Sequence, residues 1–495
     1  MSRFLAPVAL SFLLSFPVIA QVRESVTVEV IEVPVYVSHA DGTPLRGLSR
    51  EAFELSVNGR AVPVEYFDAV DYGAAPAAAP ASEAPHRDLR ERRLYLLLFD
   101  LIFNKDIPRL QKAADAVVWR SNPDTDYFAV ATYRATRGFQ FVIPFLNDRA
   151  AIHRAIATLA PAKVKDALGI ATAEDERISP ATERALMNTD NVSQVADSGK
   201  YAGERAEALH GGSANADLLI EPARRAAEDQ LDSFKEIAER LRSLDGQKHL
   251  VVLSNGYERV FGPTDARYRR NLGEIYRAFR SGGAFIDTID TLPFTSLNGG
   301  ETLRLLAEST GGMAMRGNDL AHSLTQMMGQ QQAVYLLGFR RRDKNPGDVE
   351  VRVNGLPADT RISYRKGFGA PPKAAAADAL QLADILVSDI PQNGVTLSLR
   401  PLPRAGGVAI EVSVPRDEVT PQVMPSDPYV DVMLYVFDDK GATVLNKAIR
   451  LPLSGSLTLQ IPAELRAGTY TAKALLQIGG TQSLGFARAE FQVND

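Results

Sequence analysis

Side chains that could act as nucleophiles or bases are present in this 495-residue chain, but none has a recognisable catalytic spacing. Ser254 follows an apolar run and could serve as a nucleophile, yet no adjacent base is identifiable. Residues 363–366 match Ser-x-x-Lys, but they end a predicted strand, where the helix start that this chemistry needs is not expected. The six histidines are scattered, without paired metal-ligand spacing: His39, His86, His153, His210, His249 and His322. The pattern favours a non-enzymatic protein, with a hydrolase of unrecognised site as the alternative.

The composition excludes cysteine-based chemistry and argues against nucleic-acid binding. The chain has no cysteine, which excludes disulfides, thiolate metal sites and a cysteine nucleophile. Lys and Arg number 55 against 60 Asp and Glu, a net charge of −5, so no global positive field is available to hold nucleic acid. We therefore expect no nucleic-acid partner.

The N-terminus has the pattern of a secretory signal. Arg3 gives a positive start, residues 4–16 are uncharged and mostly apolar, and Val18 and Ala20 suit a cleavage site. We predict a removed signal peptide over 1–20, with an uncleaved anchor as the alternative. No later stretch reaches about 18 uncharged apolar residues, so the mature chain is predicted to lack a membrane span. The expected location is the periplasm or the cell exterior.

Two β-rich segments lie on either side of the predicted central domain. Residues 25–70 alternate apolar and polar residues and contain Asn58-Gly59, a strong hairpin signal, and 333–368 also predict strands. Residues 71–92, rich in alanine and proline, and 369–394 are predicted linkers. Alternating strands over 395–495 predict a C-terminal β-sandwich.

Residues 93–332 alternate buried strands with amphipathic helices. The apolar runs 94–99 and 249–253 are typical of central parallel strands, and the alternation predicts a doubly wound, Rossmann-like α/β domain. Residues 161–220 do not show this alternation of strands and helices and are predicted to be an insert.

In order and spacing, motifs over about 25–368 resemble the von Willebrand factor type A (VWFA)-related proteins, described chiefly as secreted chains of Acidobacteria and similar bacteria. These motifs are VPVYV at 33–37, DG at 41–42, GLSREAFEL at 47–55, NG at 58–59, Phe67, LLLFD at 96–100, VVLSNG at 251–256, AESTGG at 307–312, YLLGF at 335–339 and RKGF at 365–368. The resemblance implies a type A domain flanked by one β unit, in which 25–70 pairs with 333–368.

The resemblance also implies a metal-ion-dependent adhesion site. In type A domains an Asp-x-Ser-x-Ser loop, a Thr and a further Asp hold a divalent cation. Here Asp100 keeps the first carboxylate, Ile102 and Asn104 replace the two serines, Asn255 replaces the second acid, and Ser213 is the nearest match to the Thr. The implied ligand set is thus degenerate: Asp100, Asn104, Ser213 and Asn255.

One carboxylate instead of two weakens the affinity for Mg²⁺ or Ca²⁺, although Asp287 or Asp290 could compensate. The favoured interpretation is that Asp100 caps the neighbouring loop and no metal binds. We therefore predict a secreted binding or scaffold protein with a protein or glycan ligand. A cation-dependent adhesion module and an exported hydrolase are the alternatives.

Overall fold

The structure is a computed structural model that describes most of the chain. The described residues are 29–73, 89–104, 106–135, 137–159, 213–258, 260–262, 264–293, 300–371, 377–392, 394–404, 407–415, 429–452, 457–479, 481 and 483–494. The predicted signal peptide and most of the predicted insert and Ala/Pro linker lie outside these residues, so those predictions are not tested.

Four strands precede the α/β domain: β1 (Val30–Ser38), β2 (Phe53–Val57), β3 (Arg60–Val62) and β4 (Tyr66–Asp71). The turn between β2 and β3 consists of Asn58 and Gly59, with φ values of 50° and 75°. Two-residue hairpins of this kind need both residues in the left-handed region, which Asn and Gly tolerate best. The hairpin predicted from Asn58-Gly59 is therefore present.

Helices and strands then alternate. They are β5 (Arg93–Asp100), α1 (Ile107–Arg120), β6 (Asp126–Arg134), β7 (Gly138–Leu146), α2 (Arg149–Ala157), α3 (Ser213–Arg242), β8 (Gln247–Ser254), α4 (Ala266–Gly282), β9 (Ala284–Asp290), α5 (Glu301–Thr310), β10 (Ala314–Arg316) and α6 (Leu320–Gln330). An aspartate side chain accepts backbone N–H bonds at the start of four of these helices, which fixes where each begins: Asp106, Asp148, Asp265 and Asp319.

These strands form one six-stranded sheet of order β10-β9-β8-β5-β6-β7, in which only the edge strand β7 is antiparallel. Along β5, Leu94, Leu96 and Leu98 pack in the core on one face of the sheet, and Tyr95, Leu97 and Phe99 pack in the core on the other. Two apolar faces require helices on both sides. The sheet is thus doubly wound, as expected, and the order in which the chain adds strands reverses between β5 and β8.

Four strands follow: β11 (Ala333–Arg340), β12 (Gly347–Val353), β13 (Arg361–Tyr364) and β14 (Gly367–Phe368). They combine with the first four strands into two sheets, of order β13-β1-β11-β4 and β14-β12-β2-β3. Val33 lies opposite Leu337 in the first sheet, and Leu55 lies opposite Val351 in the second. Their inward side chains share one core. The segments before and after the α/β domain therefore build a single β unit.

The segment 369–394 is not the plain linker that we predicted, because it contains α7 (Ala379–Ser388). Leu380, Ile385 and Leu386 of this helix are buried. Asp384 is also buried and forms a two-pronged ion pair with Arg92, with both N–O distances at 3.0 Å. The helix is thereby fixed to the start of the α/β sheet.

The C-terminal part is an all-β sandwich, as predicted. Its strands are β15 (Ser398–Arg404), β16 (Gly407–Val414), β17 (Tyr429–Asp438), β18 (Thr443–Pro452), β19 (Leu457–Ala463), β20 (Gly468–Ile478) and β21 (Leu484–Val493). The sheets β15-β16-β19 and β18-β17-β20-β21 enclose one apolar core. Within the described residues, no helix combines the length and the apolar character needed to cross a membrane.

Candidate binding crevice

Asp100 lies at the carboxyl end of β5, where β5 and β8 part, and its side chain is fully buried. One carboxylate oxygen accepts the backbone N–H groups of Ile102 at 2.9 Å and Phe103 at 3.4 Å. The other accepts the hydroxyl of Ser254, at the end of β8, at 2.5 Å. Both oxygens are thus used within the chain, and Asp100 ties the loop after β5 to the end of β8.

Burial raises the pKa of Asp100 to about 6, although the Ser254 hydroxyl and the two backbone N–H groups favour the ionised form. The side chain of Gln230, on α3, faces this carboxylate. Gln230 is fully buried, and among the described residues its amide makes no hydrogen bond of normal geometry. The surroundings of Asp100 are therefore polar but closed to solvent.

Three further polar side chains converge beside Asp100. The Thr291 hydroxyl, just past β9, contacts the side-chain oxygens of both Asn104 and Asn255. The Asn104 amide nitrogen donates to the carbonyls of Asp100 at 2.7 Å and Leu253 at 2.8 Å. The Asn255 amide nitrogen donates to the Phe103 carbonyl at 2.7 Å. These bonds fix both amides where the loops after β5, β8 and β9 meet, and we call this cluster the crevice (Asp100, Asn104, Ser254, Asn255 and Thr291).

The structure brings together only part of the predicted ligand set. Asp100, Asn104 and Asn255 meet in the crevice, whereas the side chain of Ser213, the first residue of α3, lies outside the described part of the chain. Ile102 is 4% exposed and packs in the core, so no oxygen stands at that position. Besides Ser254, a second hydroxyl in the crevice comes from Thr291, which the sequence motifs did not indicate. Its position immediately after an apolar strand ending in aspartate was the available signal.

Asp290, at the end of β9, lies near the crevice but is engaged elsewhere. Its carboxylate accepts the Leu292 N–H at 2.9 Å and lies 3.2 Å from the Arg316 guanidinium. Burial raises the pKa of Asp290 to about 6.

Asp287 cannot compensate for a missing ligand, contrary to the sequence-based suggestion. It lies inside β9, fully buried, and accepts hydrogen bonds from His249 at 2.7 Å and Gln331 at 3.0 Å. The other ring nitrogen of His249 bonds the Tyr36 hydroxyl of β1 at 3.0 Å. This closed network joins the β unit to the α/β sheet, so its residues hold the architecture together.

The residues present do not fit a divalent cation. A cation needs free oxygen lone pairs around a gap, and charge to offset its dehydration. Here the one crevice carboxylate already accepts three hydrogen bonds, and the neutral oxygens of Asn104, Asn255 and Thr291 contact one another. In the described ranges, no group of three or more His, Asp or Glu side chains is placed to hold a metal ion.

A nucleophile is equally hard to place. Ser254 is fully buried and its hydroxyl donates to Asp100, so a substrate carbonyl has no approach to its oxygen. His249 lies five residues earlier in the same strand, about 17 Å away at the usual rise per residue. The crevice therefore offers fixed hydrogen-bonding groups rather than a nucleophile and base.

Asn255→Asp should create the missing cation site, because it adds a second carboxylate beside Thr291 and Asn104. We expect Mg²⁺ or Mn²⁺ to bind this variant at least about tenfold more tightly than the wild type, measured by isothermal titration calorimetry. Asn345→Asp, in an exposed loop, is the matched control and should behave like the wild type. Equal affinity in the wild type and Asn255→Asp would show that Asn255 is not what prevents binding.

Acidification should stabilise the wild type relative to Asp100→Asn. The pKa of Asp100, about 6 in the folded chain, lies above its unfolded value, so the folded state takes up a proton first as the pH falls. The unfolding free energy of the wild type minus that of Asp100→Asn should therefore increase by about 1 kcal/mol when the pH is lowered from 7 to 5. Urea unfolding of both proteins at the two pH values measures this. A difference that stays constant, or that moves towards the variant, would contradict it.

No protein-family model matches the chain, and no curated protein matches it by sequence. Solved structures similar to it include an aerotolerance-related membrane protein from Bacteroides fragilis, 8% identical, with a TM-score of 0.26, covering 48% of this chain and 98% of that one. Mussel byssus proximal thread matrix protein 1 with a zinc-occupied MIDAS motif is 12% identical, with a TM-score of 0.26 and coverages of 51% and 49%. The pilus adhesin SpaC of Lactobacillus rhamnosus GG is 8% identical, with a TM-score of 0.24 and coverages of 83% and 53%. Similarities this weak do not transfer a function.

Proposed function

We propose that this chain is an exported, non-enzymatic binding or scaffold protein. Its VWFA-like domain takes a protein or glycan ligand at the crevice, and the degenerate adhesion site there works without a divalent cation. The ligand is recognised by the loops after β5, β8 and β9, which the crevice side chains hold in place.

One observation carries this proposal. The crevice lies at the switch point of a doubly wound sheet, the position where such sheets bind ligands. Its polar side chains are held by bonds to the carbonyls of Asp100, Leu253 and Phe103, so they are ordered before a ligand arrives. Preordered groups lose little conformational entropy on binding, which favours recognition.

The alternatives have less support. A cation-dependent adhesion module needs a second carboxylate near Asp100, but Asp287 and Asp290 are both bonded elsewhere. An exported hydrolase needs an accessible nucleophile, but Ser254 is buried against Asp100. A screen over peptide, ester and glycoside substrates tests the hydrolase, and turnover that is lost in Ser254→Ala would favour it.

The proposal is tested by blocking the crevice. Asn255 is half-buried, whereas the other crevice side chains are buried, so the indole ring of Asn255→Trp would cover the part of the crevice that a ligand can contact. We expect at least about a tenfold loss of affinity for partners captured from the native envelope or culture fluid, because well-packed contacts at an interface centre dominate binding. Asn345→Trp places the same ring in an exposed distant loop and should bind normally. Equal binding by the two variants would contradict the proposal.

A further inference from the structure

A large cleft lies at the end of the α/β sheet opposite the crevice. It separates the β unit from the start of β8 and has a volume of about 1100 Å³. Lys248, the second residue of β8, and Arg365, between β13 and β14, both line it. Ser254 is six residues further along β8, about 20 Å away at the usual rise per residue. The cleft and the crevice are therefore separate places on the molecule.

The two cationic head groups converge on Gly283. A Cβ atom placed on this glycine would lie 2.8 Å from Nη1 of Arg365 and 3.7 Å from Nζ of Lys248. Gly283 has a φ of 67° and ends α4, so the left-handed conformation also favours glycine there. Glycine thus lets the guanidinium lie against the backbone at this position, with the ammonium beside it.

Among the described residues, neither cation has a carboxylate as a direct partner. Lys248 is only 8% exposed, and its ammonium donates to the backbone carbonyl of Leu244 at 3.0 Å. The Arg365 guanidinium donates to the backbone carbonyl of Glu32, and its Nε is buried without a hydrogen bond among the described residues. In the described chain no ion pair within 4 Å joins a carboxylate to either group, although Glu32 acts on both charges and Asp245 acts on Lys248 from further away. Buried charges are normally paired, so this arrangement leaves donors available.

The pKa values of Lys248 and Arg365 agree with this geometry. Burial, with a smaller effect from the charge of Arg365, lowers the pKa of Lys248 to about 8, although Asp245 and Glu32 act in the opposite direction. Burial lowers the pKa of Arg365 to about 10, while Glu32 acts in the opposite direction. Each positive charge is therefore costly in the folded chain, and an anion between them would relieve that cost.

We propose that Lys248 and Arg365 form a binding site for the carboxylate group of a ligand, independent of the proposed crevice function. A planar guanidinium beside an ammonium suits a two-oxygen acceptor. The ligand carries one negative charge rather than several, because carboxylates outnumber cations around the rest of the cleft: Glu32, Glu65, Asp68, Glu91 and Asp245. Hydroxyl or amide groups of the same ligand would bond these side chains. A peptide carboxyl terminus and a uronic acid sugar both have this chemistry.

Binding is measured on the full chain by calorimetry and by the shift in melting temperature. The peptide arm compares acetyl-Ala-Ala carrying a free carboxylate with its carboxamide. The sugar arm compares glucuronate with glucose, and inorganic phosphate is a third probe. We expect one carboxylate probe to bind while its neutral counterpart does not, and the arm that responds identifies the source. Failure of both carboxylate probes, or tighter binding of phosphate, would overturn the proposal.

The variants separate binding from stability. Lys248→Met and Arg365→Met should each weaken carboxylate binding by at least about tenfold, because each removes a charge-assisted hydrogen bond. Without ligand, Lys248→Met should melt no lower than the wild type, since it removes a charge that burial disfavours.

Arg365→Lys keeps the positive charge but loses the planar guanidinium, and should also bind the carboxylate more weakly. Lys366→Met, the exposed neighbour, is the matched control and should bind normally. Unchanged binding in Lys248→Met and Arg365→Lys would overturn the assignment.

Discussion

Arg93→Met is expected to lower the free energy of unfolding by about 3–5 kcal/mol, the largest effect that we predict for a single replacement. Arg93 forms a two-pronged ion pair with Asp126, with N–O distances of 2.8 and 2.9 Å, and neither side chain is more than 3% exposed. It also donates to the carbonyls of Met328 and Gln331 and lies over the ring of Tyr72, next to β4. Removing the guanidinium would leave Asp126 charged and buried. Arg93 therefore helps to hold the β unit on the sheet.

The single tryptophan of the chain provides the readout. Trp119 lies on α1 of the α/β domain, so its fluorescence during urea unfolding reports on that domain. Arg352→Met, an exposed arginine whose side chain is 72% accessible, should change stability by less than about 0.5 kcal/mol. Replacing both partners, in Arg93→Met/Asp126→Leu, should restore much of the loss because no unpaired charge remains. Wild-type stability in the single variant would contradict this account.

Asp100→Ala is expected to lower the free energy of unfolding by about 3 kcal/mol, because it leaves the Ser254 hydroxyl and the N–H of Ile102 without acceptors. Asp100→Asn keeps an acceptor and the shape, and removes a charge that burial disfavours. We expect it to stay within about 1 kcal/mol of the wild type.

The same pair of variants separates two roles for Asp100. If Asp100 only anchors the loop after β5, Asp100→Asn should retain ligand binding at the crevice, while Asp100→Ala should lose it as the loop loosens. A metal ligand behaves differently, because the loss of the carboxylate charge would weaken binding in both variants. Equal loss of binding in the two variants, with stability preserved in Asp100→Asn, would contradict the anchor role.

Much of the architecture could be predicted from local patterns. The apolar run 94–99 indicates a strand covered on both faces, and it packs in two cores. Asn58-Gly59 indicates a hairpin because few other residues accept both backbone conformations. By contrast, α7 was missed, because its apolar residues follow directly on a run of alanines and prolines that is typical of a linker.

The crevice was predicted less completely, because its geometry depends on strand ends and on long-range contacts. Asp287 was suggested as a compensating ligand, whereas β9 continues to Asp290 and buries Asp287. Thr291 acquires its role only because β9 lies beside β8, which brings it to Asn104 and Asn255. Lys248 and Arg365 likewise meet only because the β unit packs against the sheet.

The most direct test of the central claim is affinity capture from the native envelope or culture fluid, in the presence of a chelator. The baits are the wild type, Asn255→Trp and Asn345→Trp. We predict that the wild type and Asn345→Trp retain the same partner without divalent cations, and that Asn255→Trp loses it. Loss of the partner from every bait on chelation, or its retention by Asn255→Trp, would contradict the account.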